Sequence, residues 1–299
     1  MMQTTIQTGA SWQLVLVLWG TKYGVDEVNK LITNICEKAA LKPRVVLITD
    51  RARPGLLPNV ITRDFPPFYL NPILQTGGCQ AKLAMFAKGV LPVDLPAVYI
   101  DIDTLVLGDL SQFLNLMKTP QTLALFQSAI VPFGPVGRFL WNTTNKKRYA
   151  RGNSSLVVFH PGHCHYISTL FEKLFAQTNG IGLRPMIADE RFMSWAAQPH
   201  ARALPSSWAV KFPTEFMWRW RWLAYLRAKL PHLRRRWTRL IVITLPGLDF
   251  KGPDLVDLAD GTELIDRKGR RLIWSKHALG PVKQMIIDYY TPLKKINNQ

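Results

Sequence analysis

The stretch that decides the fold runs from Leu95 to Leu110, LPAVYIDIDTLVLGDL. Ala97-Val98-Tyr99-Ile100 reads as a buried strand that opens straight onto Asp101-Ile102-Asp103, and a second apolar run, Leu105-Val106-Leu107, follows. In extended chain, residues two apart point to the same side, so Asp101 and Asp103 are expected to face one way and Ile102 the other. Neighbouring carboxylates repel, and burying them unpaired is strongly unfavourable. A hard divalent cation resolves the conflict, and oxygen-only ligation suits Mg²⁺ or Mn²⁺. One Asp at a strand end is ordinary turn chemistry. A pair between two apolar runs is not.

Working outward, short β-branched runs alternate with amphipathic stretches. Leu14–Trp19 and Arg44–Thr49 read as strands, with a helix over Asp26–Ala40 between them that places Val28, Leu31, Ile32 and Ile35 on one stripe. The Pro-rich passage with Pro54, Pro58, Pro66, Pro67 and Pro72 is expected to be loop or extended chain. Gln80–Lys88 reads as a helix, Leu123–Phe126 and Ser155–Phe159 as strands, and His165–Gln177 and Glu190–Ala197 as further helices. This alternation predicts an α/β fold with an open central sheet and helices on both faces. Ligands of such sheets bind at the carboxyl ends of the strands, which is where the aspartates fall.

The chain has 299 residues, 47% of them apolar and 19% charged, which excludes a disordered tail and allows one large or two modest domains. Its 38 Lys+Arg against 20 Asp+Glu leave +18, an imbalance that calls for an anionic partner. Cys36, Cys79 and Cys164 lie far apart without a CxxC pair, against a disulfide framework or zinc finger and in keeping with a reducing compartment. The apolar run Leu14–Trp19 is far shorter than the roughly 20 residues of a membrane span, and Met1–Ser11 lacks the basic start of a secretory signal. A cytoplasmic protein is expected.

Between Arg202 and Arg239 stand ten Lys/Arg, one acid (Glu215) and five of the ten tryptophans. One reading is a solvated helix whose aromatics pack on the core. The other is an interfacial segment, with Trp218, Trp220 and Trp222 at headgroup level and Arg234, Arg235 and Arg236 meeting an anionic membrane surface. The alternation Trp218–Trp222 fits strand and helix equally. Three parts are expected: a core over residues 1–205, the basic segment 206–239, and 240–299 completing the core. In the last part Leu240–Thr244 reads as a strand, Asp266–Gly269 as a hairpin turn and Lys294-Lys295 as a frayed tail.

The segment Leu95–Leu110 resembles the metal-binding stretch of GT-A-fold nucleotide-sugar glycosyltransferases, especially family 8 and its bacterial relatives, and the resemblance covers roughly residues 12–257. It implies a GT-A (Rossmann-like) mixed sheet with a basic C-terminal extension, and a metal-dependent transfer of sugar from a nucleotide-sugar, UDP-linked, to a glycan or lipid-linked acceptor. By the same resemblance, Asp101 and Asp103 hold Mn²⁺ or Mg²⁺ and Tyr23 contacts the nucleotide. Lys82 stands where relatives carry Arg or Lys, and Asn153, opening Asn153–Phe159, helps bind donor or acceptor. Asp189-Glu190, where relatives have Asp-Gln, orients the sugar or faces its anomeric carbon; helix capping is the plainer role for this pair. Relatives usually close the metal site with a late His motif. Here Asp249-Phe250-Lys251-Gly252 keeps the Phe-x-Gly core without a His, so Asp249 is the substitute ligand unless the third ligand is absent or water, and Lys251 is placed to neutralise a diphosphate.

Two rivals stand beside this. Asp101-Ile102-Asp103-Thr104 also matches the opening of a haloacid-dehalogenase-like phosphohydrolase, with Asp101 as nucleophile. That motif normally stands near the start of its domain, and no Gly-Asp-x-x-x-Asp follows here. Arg and aromatic interleaving also fits nucleic-acid binding, without any helix-turn-helix, RNP-like or zinc pattern. His160, His163 and His165 are broken up by Pro161-Gly162 and read as a turn and helix start rather than a metal site.

Overall fold

The computed structural model describes residues 9–127, 130–245, 250 and 252–297, with side chains to residue 291. The chain divides into two compact units. Unit 1 comprises residues up to Ile102 and Leu110–Leu204; unit 2 comprises Asp103–Asp109 and the chain from Pro205 on.

Unit 1 is built on a seven-stranded sheet. In chain order its strands are β1 (Trp12–Leu18), β2 (Pro43–Thr49), β3 (Ile61–Asp64), β4 (Ala97–Ile100), β6 (Leu123–Gln127), β7 (Gly152–Phe159) and β8 (Ala201–Ala203). The spatial order is β3-β2-β1-β4-β7-β6-β8. β3, β2, β1 and β4 run parallel, β7 is antiparallel to both neighbours, and β8 is parallel to β6. Every residue of β1, β2 and β4 is buried, which is why those segments read as unbroken apolar runs without alternation. The helix Val25–Lys38 buries the expected stripe of Val28, Leu31, Ile32 and Ile35.

Three local readings are corrected. Gln80–Phe86 is a 3₁₀ helix: Cys79 before it adopts a left-handed conformation (φ 54°), and Lys82 N–H closes onto the Cys79 carbonyl at 3.0 Å. The Pro-rich passage is in part extended, as expected, with β3 at the sheet edge, but it also forms short helical turns at Pro67–Leu70 and Pro72–Gln75. Lys294 and Lys295 are not a frayed tail; the backbone is helical over Val282–Asn297.

Unit 2 carries a three-stranded sheet in the order β5-β10-β9 and a hairpin. The strands are β5 (Thr104–Val106), β9 (Ala209–Lys211), β10 (Val242–Thr244), β11 (Glu263–Ile265) and β12 (Arg271–Ile273). Asp266 makes the hairpin turn: its Oδ1 accepts from the Lys268 and Arg270 N–H groups at 2.9 Å, and Gly269 takes the left-handed φ of 70°. The unit has its own core, in which Phe212, Phe216, Trp237, Ile243 and Trp274 are buried together.

Candidate active site

In unit 1 a cluster of polar residues lies at the edge of the sheet where β4 ends. β7 runs antiparallel to β4, so its first residues arrive at the same edge, and the Asp101 N–H donates to the Ser155 carbonyl at 2.9 Å. Tyr99 precedes Asp101 by two residues and therefore shares its side of the chain. Its hydroxyl donates to Asp101 Oδ1. The same oxygen takes the Lys82 ammonium at 2.6 Å, and Lys82 Nζ also stands 3.9 Å from Asp189 Oδ2. Asp189 accepts from the Ser154 hydroxyl at 2.5 Å, and Asn153 donates through Nδ2 to Glu190.

Each partner is delivered by a distinct element. Lys82 comes on the 3₁₀ helix, Asn153 and Ser154 on β7, and Asp189 and Glu190 in the first turn of the helix Asp189–Ala196. Gly78 sets that last helix: its carbonyl accepts the Asp189 N–H at 2.9 Å, and a Cβ at Gly78 would fall 2.3 Å from the Ile187 carbonyl oxygen. The side chains of Lys82, Asp101 and Asp189 are only 12%, 18% and 7% exposed.

Burial disfavours charge on all three, and the balance differs at each. At Lys82, Asp101, Tyr99 and Asp189 outweigh burial, so the ammonium is held well above its ordinary range. At Asp101, burial is likewise outweighed by Lys82, Tyr99 and Ser155, and the carboxyl is held below its ordinary range. At Asp189, burial wins over Lys82 and Ser154, and Glu190 and Asp101 add repulsion; its pKa is raised to about 6. One lysine thus serves two buried carboxylates, in a chain that is otherwise strongly basic.

The expectation that Asp101 and Asp103 lie on one side of an extended strand is corrected. β4 ends at Ile100, residues 102–103 form a turn, and β5 starts a different sheet at Thr104. The same-side relation holds instead between Tyr99 and Asp101. Asp249 and Lys251 lie outside the described residues. Carboxylate oxygens are the right donors for a hard cation. Among the described residues, however, no group of three or more His, Cys, Asp or Glu is placed to hold one.

Beside this cluster the ends of β1 and β2 are tied by a group that sequence reading missed. Asp50 Oδ2 accepts from the Gly20 N–H at 3.1 Å, and the Arg53 guanidinium donates to Asp50 Oδ1 and to the Gly20 carbonyl, both at 2.8 Å. These bonds fix the loop after β1 that carries Tyr23. That residue is half-buried, with the Lys22 ammonium 4.6 Å from its ring centroid. His160 closes a turn by accepting from the Gly162 N–H at 3.3 Å, as a helix start requires.

In unit 2 the basic aromatic segment is neither one strand nor one helix. Trp218 bridges to Arg271 of the hairpin and lies half-buried under the Arg227 guanidinium, 5.0 Å from its ring centroid, so it does not face outward as expected. A helix starts at Arg221, and Trp220 and Trp222 are 56% and 60% exposed. Of the three arginines, Arg234 and Arg235 are exposed, and Arg234 also donates to the carbonyls of Ala228 and His277. Arg236 is drawn inward into an ion pair with Glu215, which also accepts from Trp237 at 2.8 Å.

No protein-family model matches this chain, and no curated protein sequence does. Solved structures do. The galactosyltransferase LgtC, determined in complex with donor and acceptor sugar analogs, superposes with a TM-score of 0.55 at 13% identity, over 94% of this chain and 95% of that one. The bifunctional glycosyltransferase WbbM in its apo form gives 0.56 at 12% identity over 98% of this chain, which spans about half (52%) of that longer one. GlyE of Streptococcus pneumoniae TIGR4 gives 0.51 at 10% identity, over 94% of this chain and 61% of that one. At such identities the likeness is one of fold, and the fold is that of the GT-A-type glycosyltransferases.

Proposed function

We propose that this chain is a glycosyltransferase that moves a sugar from a nucleotide-sugar donor, a UDP-sugar, to a glycan or lipid-linked acceptor. The observation that carries the reading is the excess of carboxylates at the strand ends of a GT-A-type sheet: Asp101 and Asp189 around one lysine, with Glu190 held by Asn153. Carboxylate oxygens accept hydrogen bonds from sugar hydroxyls, which a neutral polyol offers in number. In this reading Asp189 and Glu190 orient the transferred sugar, and Tyr23 and Asn153 contact the donor. Lys82 and Lys251 set fixed positive charge beside the departing diphosphate, in a site where water is scarce and such charge counts for more than in solution. Asp101 and Asp103 would hold Mn²⁺ or Mg²⁺, with Asp249 as a third ligand. Such an ion supplies Lewis-acid stabilisation of the leaving diphosphate when bound.

A thermal-shift panel of UDP-, GDP- and dTDP-sugars, each with and without Mn²⁺, tests this directly. UDP-sugars are expected to raise the melting temperature most, and only with Mn²⁺. If no nucleotide-sugar shifts it under either condition, the reading fails; an equal shift without metal removes the ion and keeps the sugar.

The exposed Trp220 and Trp222, with Arg219, Arg221 and Arg235, support docking of the enzyme on the inner face of an anionic membrane. No helix among the described residues is long and apolar enough to cross one. The Trp220→Ser/Trp222→Ser variant should lose co-sedimentation with anionic vesicles, and unchanged sedimentation would remove this part alone. The phosphohydrolase and nucleic-acid readings are not favoured by the fold. Trapped phosphate on Asp101, or salt-sensitive retention on DNA but not on vesicles, would revive them.

A further inference from the structure

We propose that a groove beside β8 is a second binding site, for an acidic oligosaccharide. β8 is the outermost strand of the seven-stranded sheet and lies three strand positions from β4. At about 4.8 Å per position that is roughly 14 Å from the strand leading to Asp101. Along β8 runs a concavity of about 650 Å³. That is within the range of small-molecule sites and larger than a single sugar ring needs.

Its lining is one-sided in charge. Lys118, Arg138 and Arg202 enter from three separate segments: the turn before β6, the helix Pro135–Thr143, and β8 itself. Among the described residues no carboxylate lines it. All three cations are exposed. Among the described residues the Lys118 and Arg202 side chains make no ion pair or hydrogen bond, and the Arg138 guanidinium donates only to the Pro199 carbonyl, at 3.5 Å. Unpaired like charges brought together in a concave wall repel one another and focus a positive potential, so their natural complement is an anion. Both guanidiniums offer the planar fork that fits carboxylate or phosphate.

The shape narrows the ligand. Cations spread over three segments match charge repeated along a chain better than a single ion. The lining also supplies Thr119 and Thr122, whose hydroxyl oxygens lie 3.2 Å apart, the His200 ring, and apolar surface from Leu116, Phe133 and Pro135, a mix that suits sugar rings. A recessed groove cannot meet a flat lipid surface. The site draws on none of the residues around Asp101 and stands whether or not those transfer sugar.

The test is calorimetric titration of the full chain with hexagalacturonate, with maltohexaose as its neutral counterpart and with inorganic phosphate as the bare anion. Hexagalacturonate should bind, weaken with added salt, and bind at least tenfold more weakly to Arg138→Ser/Arg202→Ser. Maltohexaose should not bind, and phosphate should compete only at far higher concentration. Lys268→Ser/Lys276→Ser, which removes equal charge from exposed positions of unit 2, should bind as the parent does. Arg138→Lys/Arg202→Lys, which keeps the charge, should retain most of the affinity and so separates lost charge from lost folding. Undiminished binding by the serine pair, an equal loss in the unit 2 pair, or equal binding of maltohexaose would each overturn the site. Phosphate binding as tightly as the hexasaccharide would overturn the oligosaccharide and leave a single-anion site.

Discussion

Asp101 in unit 1 and Glu215 in unit 2 have similar company and opposite balance. Each carboxylate meets a cation and an aromatic donor: Lys82 and the Tyr99 hydroxyl at Asp101, Arg236 and the Trp237 indole at Glu215. At Glu215 the cations are in excess, since Arg227 adds a second guanidinium at 3.5 Å, and all three partners come from the helices that follow it. That acid is an internal tie, fully matched by its cations, whose side chains keep about a quarter of their surface open to solvent. At Asp101 the acids are in excess, because Lys82 must serve Asp189 as well, and all of them are largely buried at a strand end. A buried surplus of negative charge cannot be relieved by solvent, so it marks a place built for a ligand.

The largest break in this comparison is expected at the aspartates. Asp101→Asn and Asp103→Asn should each lower sugar transfer by about 10³-fold, the loss typical of removing one preorganised charge from a transition state, without unfolding the chain. Mn²⁺-dependent UDP binding should vanish in both. Circular dichroism establishes the fold, and undiminished UDP binding would defeat the assignment.

Next in size is Lys82→Met. It leaves Asp101 and Asp189 without their shared cation, and breaking a buried pair by removing one partner costs about 3–5 kcal/mol. Urea denaturation should show a loss of that order, and the companion Lys82→Met/Asp101→Asn should recover part of it. A single variant as stable as the parent would mean that the two acids were never charged together.

Glu215→Gln should be milder and should separate the two regions. It removes charge-assisted hydrogen bonds worth about 1.5–3 kcal/mol, so the melting temperature falls while sugar transfer per folded molecule stays unchanged. Lost activity at full folding would show that this acid is more than a tie.

Much of this was legible in the chain. β1, β2 and β4 showed as apolar runs because all-buried parallel strands leave no polar face to interrupt them. Asp101 was singled out by its place after an apolar strand, and Lys82, Asn153 and Asp189-Glu190 only by the resemblance to GT-A-fold enzymes; the fold draws Lys82, Asn153 and the acidic pair to the end of β4 from three other elements. Strand alternation was applied to the wrong pair. Nothing in Asp-Ile-Asp announces that the chain turns at 102–103, whereas Tyr99, two residues before Asp101 inside a strand, carried the same-side signal plainly. The Asp50–Arg53–Gly20 tie was hidden because it joins two loops 30 residues apart. Trp218 and Arg236 were misplaced for a related reason: their partners, Arg271 and Glu215, are distant in sequence, and a Trp/Arg run looks alike whether its members face solvent or the core.

The smallest effect is the most diagnostic of the buried acid surplus. Asp189 has its pKa raised to about 6, chiefly by burial, so it exchanges its proton near neutrality while Asp101 stays ionised. A protonated carboxyl can no longer accept freely from a sugar hydroxyl. Donor binding and turnover should therefore fall as the pH drops through 6, by about tenfold at one unit below it. Stability runs the other way. The folded chain holds this proton more tightly than the unfolded chain, whose carboxyl keeps its ordinary value near 3.8. The group's contribution to stability is thus complete below about pH 4 and is lost as the pH rises through 6. Asp189→Asn should flatten both trends, leaving residual donor binding and the melting temperature less dependent on pH across that window. If the variant and the parent give superimposable pH profiles, Asp189 is not the titrating acid, and the surplus charge at the strand end is neutralised elsewhere.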